Sequence, residues 1–244
     1  DFLKETENSI LCLQELKMQE ADIDAAAFKE VGYTLDAFGQ KTYNGVATIL
    51  RDPLTFLPDE EVRNIPGFED PQSRLLATTV QVGSEKLRVI NGYFPNGETV
   101  ESEKFPYKLA WLEALVQWLP SQLEEYPNLV LLGDFNIAPE DRDVWDPESW
   151  SESVLCTPKA REAFQRLIDL GLTDSFRAFE QPEKSYSWWD YRMMAFRRNR
   201  GLRIDHILIS EALVSKNLGV EIHKKVRGNE RPSDHAPVTL TLDL

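Results

Sequence analysis

The sequence is poor in residues that anchor many familiar chemistries: its 244 positions include two cysteines, three histidines and three methionines. Cys12 and Cys156 lie far apart and lack metal-ligand spacing. That excludes a disulfide framework, argues against a zinc site, and points to a reducing compartment, the cytoplasm, with both thiols as small buried hydrophobes. No stretch reaches the roughly 18 apolar residues that a membrane-spanning helix requires. The opening "DFLKETENSILCLQELKMQE" is too charged for a secretory signal, so a soluble protein with no membrane partner is expected. Also missing are a G-x-S-x-G elbow, a P-loop and a dinucleotide fingerprint, which removes several hydrolase, nucleotidase and dehydrogenase classes.

Positive charge is scarce as well. Lys and Arg number 27 against 41 Asp and Glu, a formal net charge of -14, which on average repels nucleic acid. The average conceals an asymmetry: residues 1–150 carry 12 basic and 28 acidic side chains, whereas residues 151–244 carry 15 and 13. Arg192, Arg197, Arg198, Arg200 and Arg203 fall within twelve residues, and Lys224, Lys225, Arg227 and Arg231 follow. Such clusters suit a local basic face along a phosphate backbone, and on charge alone a solvated surface accounts for them too.

With 42% hydrophobic and 10% aromatic residues and no repeat or low-complexity linker, the chain is expected to form one domain, residues 1–244. Short runs rich in β-branched residues and bounded by turn formers predict strands at 9–14, 45–50, 74–82, 86–94, 128–135, 202–210 and 236–244. Apolar residues at helical spacing predict helices from about Phe105 to Leu119 and from Pro158 to Leu170, the latter stopped by Gly171. The two-residue link Gly83-Ser84 predicts an antiparallel hairpin. The expected class is α/β, with two packed, mixed but largely antiparallel sheets flanked by helices.

Polar side chains gather at the strand ends. Glu15 follows "ILCLQ", Asp134 and Asn136 lie in "VLLGDFNIAP", Asp205 interrupts "LRIDHIL", and Asp234 and His235 precede the last strand. Asp134 and Asn136, two apart, are expected on one face. Each alone reads equally as a turn former, cap or strand terminus. Together, converging carboxylates repel unless a cation or hydrogen bonds offset the charge. Oxygen ligands such as Glu15 suit Mg²⁺, with Mn²⁺ as a substitute, and the matching chemistry is metal-assisted phosphodiester hydrolysis. In that reading Asp134 or a neighbour handles the nucleophilic water and His235, oriented by Asp205, holds a phosphate oxygen. Tyr93 is either a phosphate donor or a core aromatic. His206 and His223 are read as ordinary strand residues.

The motifs "LQE" (13–15), "INGYFPNGE" (90–98), "LLGDFNIAP" (131–139), "SWWDYR" (187–192), "NRGLRIDHIL" (199–208) and "PSDHAPV" (232–238) resemble, in order and across nearly the whole chain, the exodeoxyribonuclease III family of the endonuclease/exonuclease/phosphatase superfamily. The resemblance implies a DNase I-like four-layer α/β sandwich and a divalent metal. It also implies, in an expected monomer, action on double-stranded DNA at 3' ends, nicks and abasic sites. It assigns Glu15 and Asp234 to the metal, Asp205 and His235 to an acid–imidazole pair, Tyr93 to phosphate, and Asp134 with Asn136 to nucleophile and leaving group. Trp188, Arg192, Arg200 and Asn96 become the substrate-binding set, the indole suiting the gap left by a missing base and the arginines suiting phosphates. The family's opening "WNxNG" strand is not found before Asp1: either the sequence is an N-terminally shortened one or this form does without that strand. Trp145, soon after Asn136, is expected to crowd a flipped-out sugar and favour 3'-end trimming over abasic-site incision. Two other readings share the motifs: a superfamily phosphatase on a small phosphoester, and a non-catalytic DNA-binding protein.

Overall fold

The computed structural model describes residues 8–244. The chain divides into two compact units, the first running to Tyr93 with Asn128–Gly133 and Leu244, the second comprising Phe94–Pro127 and Asp134–Asp243.

In the first unit β1 (Ile10–Gln14), β2 (Tyr33–Phe38) and β3 (Val46–Arg51) form an antiparallel sheet in the order β1-β3-β2. A short helix α1 (Ala25–Glu30), capped by the Asp24 side chain, joins β1 to β2. The second sheet is built on β6 (Leu75–Val82) and β7 (Glu85–Tyr93), antiparallel from Leu75↔Gly92 to Val82↔Glu85. Gly83 takes a φ of 56° in the tight link, as a two-residue hairpin requires. The short β4 (Thr55–Phe56) and β5 (Val62–Arg63) pair with β6, and β8 (Leu129–Asp134) lies beside β7 along its part in this unit. There Gly133, at φ 135°, passes so close to Gly92 that a Cβ would fall 1.9 Å from the Gly92 carbonyl oxygen. Buried Asn91 links the two sheets: its Nδ2 donates to the carbonyls of Leu13 and Ala47, and its Oδ1 accepts from Gln14 Nε2 at 2.7 Å.

In the second unit the helix expected to stop near Leu119 runs as α2 (Lys104–Glu125), through Pro120. Its buried stripe of Trp111, Leu112, Leu115, Leu119 and Gln122 continues past the proline, so packing outweighs the one lost backbone bond. After α3 (Pro147–Trp150), α4 (Pro158–Asp169) begins with Thr157 as its cap and Pro158 in its first turn, and buries Ala160, Ala163, Phe164 and Leu167. Antiparallel pairs follow: β9 (Leu172–Asp174) with β10 (Asp205–Ser210), and, after α5 (Glu211–Val214), β11 (Asn217–Ile222) with β12 (Val238–Leu242). Phe94 stacks on Phe135 with ring centroids 4.0 Å apart, and Trp111, Phe164 and His206 extend that aromatic core. Of the strands, β2, β4, β5, β9 and β11 were not legible beforehand. β2 and β11 alternate weakly, and the others span three residues or fewer.

Candidate active site

Glu15 follows β1 with a left-handed φ of 57°, a conformation disfavoured for a residue with a Cβ. Gln14 pins the end of β1 to Asn91 of β7, two residues before Tyr93. Glu15 therefore meets the Tyr93 hydroxyl, which donates to its Oε1 at 2.9 Å, while Lys17 Nζ approaches Oε2 at 2.7 Å. Arg74 lies over the Tyr93 ring and donates to its carbonyl.

The second unit gathers most of the other expected residues. Asp134 closes β8, and Asn136 turns back on it at φ 50°. Its backbone N–H donates to Asp134 Oδ1 at 2.9 Å and its Nδ2 to Oδ2 at 3.0 Å. The pair thus forms a closed ring rather than two parallel projections from a strand face. Asn96 Nδ2 donates to Asn136 Oδ1 at 2.8 Å, extending the chain of carboxamides. Asp205 opens β10, its N–H bonded to the Ser187 hydroxyl, and the backbone of Trp188 bridges to both Leu202 and His235. This weave brings His235 Nδ1 to within 3.0 and 2.9 Å of the two Asp205 oxygens, with Nε2 3.9 Å from Asp134 Oδ2. Ligand atoms of Asp134, Asp205 and His235 lie within 4.8 Å of one another, a group able to hold a metal ion. Partial burial opposes charge on His235. The Asp205 carboxylate outweighs it, with Asp134 and Asp234 adding, and the imidazole is pushed up to about 10.

Asp234 stands outside that trio and accepts from the indole Nε1 of Trp188 at 2.9 Å. Trp188 is half-buried and meets Trp150 edge-on, whereas Trp189 is wholly buried. Arg192 is exposed and paired with its neighbour Asp190, and Arg200 lies over the Trp145 ring at 4.6 Å. Two members of the basic clusters are not on the surface. Arg203 is 1% exposed, bonded to Asp143 and Asp174, and Arg227 is 6% exposed, bonded to the Trp189 carbonyl. Both are held by partners that the linear pattern could not reveal. Arg197 and Arg198 are exposed. His206 belongs to β10 as expected, whereas His223 lies one residue past β11.

Sequence reasoning missed a buried polar layer behind this site. Lys108, fully buried on α2, donates to the carbonyls of Asn96, Asn136 and Val154, and burial pushes its ammonium down to about 7. His206 bonds the Ile137 carbonyl and Arg161 that of Ala138. The available signal was a lysine on the apolar stripe of an amphipathic helix.

Residues 1–235 match the model of the endonuclease/exonuclease/phosphatase family. The chain is 35% identical over 246 residues to exodeoxyribonuclease III of Haemophilus influenzae, covering 97% of this chain and 91% of that protein. Among solved structures it is similar to a 3' phosphatase from Neisseria bound to a product DNA hairpin, with a TM-score of 0.94 and 44% identity over 100% of this chain and 92% of that one. It is also similar to an AP endonuclease from Archaeoglobus fulgidus, with a TM-score of 0.90 and 32% identity over 100% and 92% of the two chains. The α/β fold is therefore DNase I-like, and the chain belongs to the endonuclease/exonuclease/phosphatase family.

Proposed function

We propose that this protein is a metal-dependent DNA repair nuclease, an enzyme that hydrolyses phosphodiesters of duplex DNA. The observation that carries the reading is the Asp205–His235–Asp134 constellation, with both oxygens of Asp134 engaged by Asn136. Asp205 accepts a hydrogen bond from the Nδ1–H, which keeps the proton on the ring, so the Nε2–H edge of His235 is presented to a phosphate oxygen as imidazolium. Asp134, oriented by Asn136, accepts the proton of the attacking water as oxygen adds to phosphorus and the bond to the sugar oxygen breaks. Asn96 restrains Asn136, and the Tyr93 hydroxyl, whose one proton goes to Glu15 in this structure, is assigned to turn it to a phosphate oxygen. Glu15 in the first unit is a hard oxygen donor of the kind that suits Mg²⁺, with Mn²⁺ as a substitute, and Asp234 in the second is another. When bound, such an ion neutralises charge that develops on the phosphoryl and leaving oxygens.

The substrate follows from chemistry and likeness together. Trp188 offers a partly open indole for stacking, and Arg192 and Arg200 offer guanidinium groups for phosphates. Continuity of the family match over residues 1–235 supports treating 1–244 as one endonuclease/exonuclease/phosphatase domain. We read the protein as a cytoplasmic monomer, with both cysteines free. Among duplex substrates we place 3' ends and nicks ahead of internal abasic sites. Trp145 packs beneath Arg200 and against two core clusters, and we assign its ring the role of crowding an extruded sugar; the neisserial relative is described as a 3' phosphatase.

The test is cleavage of a 3'-recessed duplex with Mg²⁺ and with EDTA. Cleavage abolished by EDTA supports the nuclease. Binding without cleavage replaces it with a non-catalytic DNA-binding protein, and silence toward DNA with turnover of a small phosphoester replaces it with a phosphatase. Equal turnover of nicked and internal abasic duplexes would overturn the substrate order.

A further inference from the structure

Beyond Asp134 the backbone leaves β8, and three successive carbonyls point into the interior of the second unit. Asn136, Ile137 and Ala138 are 4%, 0% and 0% exposed. Buried carbonyls outside a ladder need donors. Each of these takes one from a basic side chain on a different element: Asn136 from Lys108 Nζ of α2 at 2.7 Å, Ile137 from His206 Nε2 of β10 at 2.8 Å, and Ala138 from Arg161 Nε of α4 at 3.0 Å. Lys108 spends its other two protons on the carbonyls of Asn96 at 3.2 Å and Val154 at 2.9 Å. Gly97, at φ 94°, leaves room for the lysine stem, since a Cβ there would lie 3.2 Å from Lys108 Cδ.

Packing alone does not explain a lysine at this position. Withdrawing an ammonium from water is costly even when it is well bonded, and a methionine of similar length would fill the space on a largely apolar stripe. The lysine does what no apolar residue can: it joins the backbones of Asn96 and Asn136, whose carboxamides are themselves bonded in front of Asp134.

We propose that Lys108 is a positioning residue for the hydrolytic step, the central donor of a clamp, completed by His206 and Arg161, that holds the 134–138 segment so that Asn136 keeps both of its bonds to Asp134. The inference rests on the reading of Asp134 and Asn136 as the groups that handle water. A displacement of the order of 1 Å at reacting groups can lower a rate about a hundredfold, so loss of the clamp falls on kcat rather than on KM.

The experiment compares wild type, Lys108→Met, Lys108→Arg and Arg161→Met on a 3'-recessed duplex with Mg²⁺, alongside hydrogen exchange of the Asn136 side-chain amide by NMR. Expected are a kcat lowered about 10- to 100-fold in Lys108→Met with KM within about threefold, partial rescue in Lys108→Arg, a smaller kcat loss in Arg161→Met, and faster amide exchange in Lys108→Met. A folded Lys108→Met with kcat within about twofold of wild type and unchanged exchange overturns the proposal. Should that variant fail to fold, Arg161→Met decides: a fall in kcat at constant KM supports the clamp, and wild-type kinetics overturn it. If the wild-type protein itself leaves DNA uncut, the functional reading fails instead, and amide exchange alone judges the clamp.

Discussion

His235 acquires its character from a side chain 30 positions away. Asp205 engages Nδ1 through both oxygens, which fixes the ring and stabilises the imidazolium. Replacing Asp205 with Asn should lower kcat on a 3'-recessed duplex by about 10²- to 10⁴-fold and, because the raised His235 loses the carboxylate that stabilises its imidazolium, lower the urea midpoint at pH 7 as well; a variant with wild-type kcat would remove Asp205 from the mechanism. The neighbouring His206 has the opposite character. Burial pushes it down to about 4, with the Arg203 guanidinium adding to the effect. Its folded value lies below the 6.5 of an unperturbed histidine, so between the two the unfolded chain holds the extra proton. Its contribution to stability is complete above about 6.5 and is lost as pH falls toward 4, by about 2 kcal/mol at pH 5. Urea unfolding at pH 7 and pH 5 should show a loss in wild type about that much larger than in His206→Gln. At this scale the sequence singled out His235 but passed over His206, because both follow an aspartate and only their surroundings differ.

Elements matter here chiefly where they approach one another without room to spare. Gly133 on β8 needs both its positive φ and its missing side chain, because a Cβ would penetrate the Gly92 carbonyl of β7. Gly133→Ala should therefore destabilise the fold by about 4 kcal/mol or more, read as a lowered thermal midpoint and poor soluble yield. A second constraint is the ion-pair network in which Asp143 accepts from Arg203 on the segment before β10 and from Arg177 after β9. Asp143→Asn leaves buried Arg203 with Asp174 as its remaining ion partner, and a loss of about 3–5 kcal/mol is expected from the denaturation midpoint. The major strands and the two longer helices were legible because each has a clear period or boundary residue. α2 overran its predicted end because the packing of Leu119 and Gln122 is a tertiary fact that Pro120 does not disclose.

For the whole molecule, an overall charge of -14 sets a repulsive background for DNA, so binding must rely on a local basic surface. With Arg203 and Arg227 buried, that surface falls to the exposed Arg192, Arg197, Arg198, Lys224, Lys225 and Arg231 and the half-buried Arg200. The double variant Arg197→Ala, Arg198→Ala should weaken binding to every duplex alike and reduce the slope of log affinity against log salt by about 1–2, measured by fluorescence anisotropy over a salt series. An unchanged slope would move the DNA path elsewhere. The sequence by itself determined the α/β class, the main strands and the identity of the polar residues at their ends, because periodicity, turn chemistry and motif order are local properties of a chain. Only the tertiary structure decided which arginines face water, that Asp234 is tied to an indole, and that a buried lysine, a histidine and an arginine converge on three consecutive carbonyls. Those facts depend on contacts between residues tens of positions apart, and no local pattern encodes where a backbone carbonyl will be left without a partner.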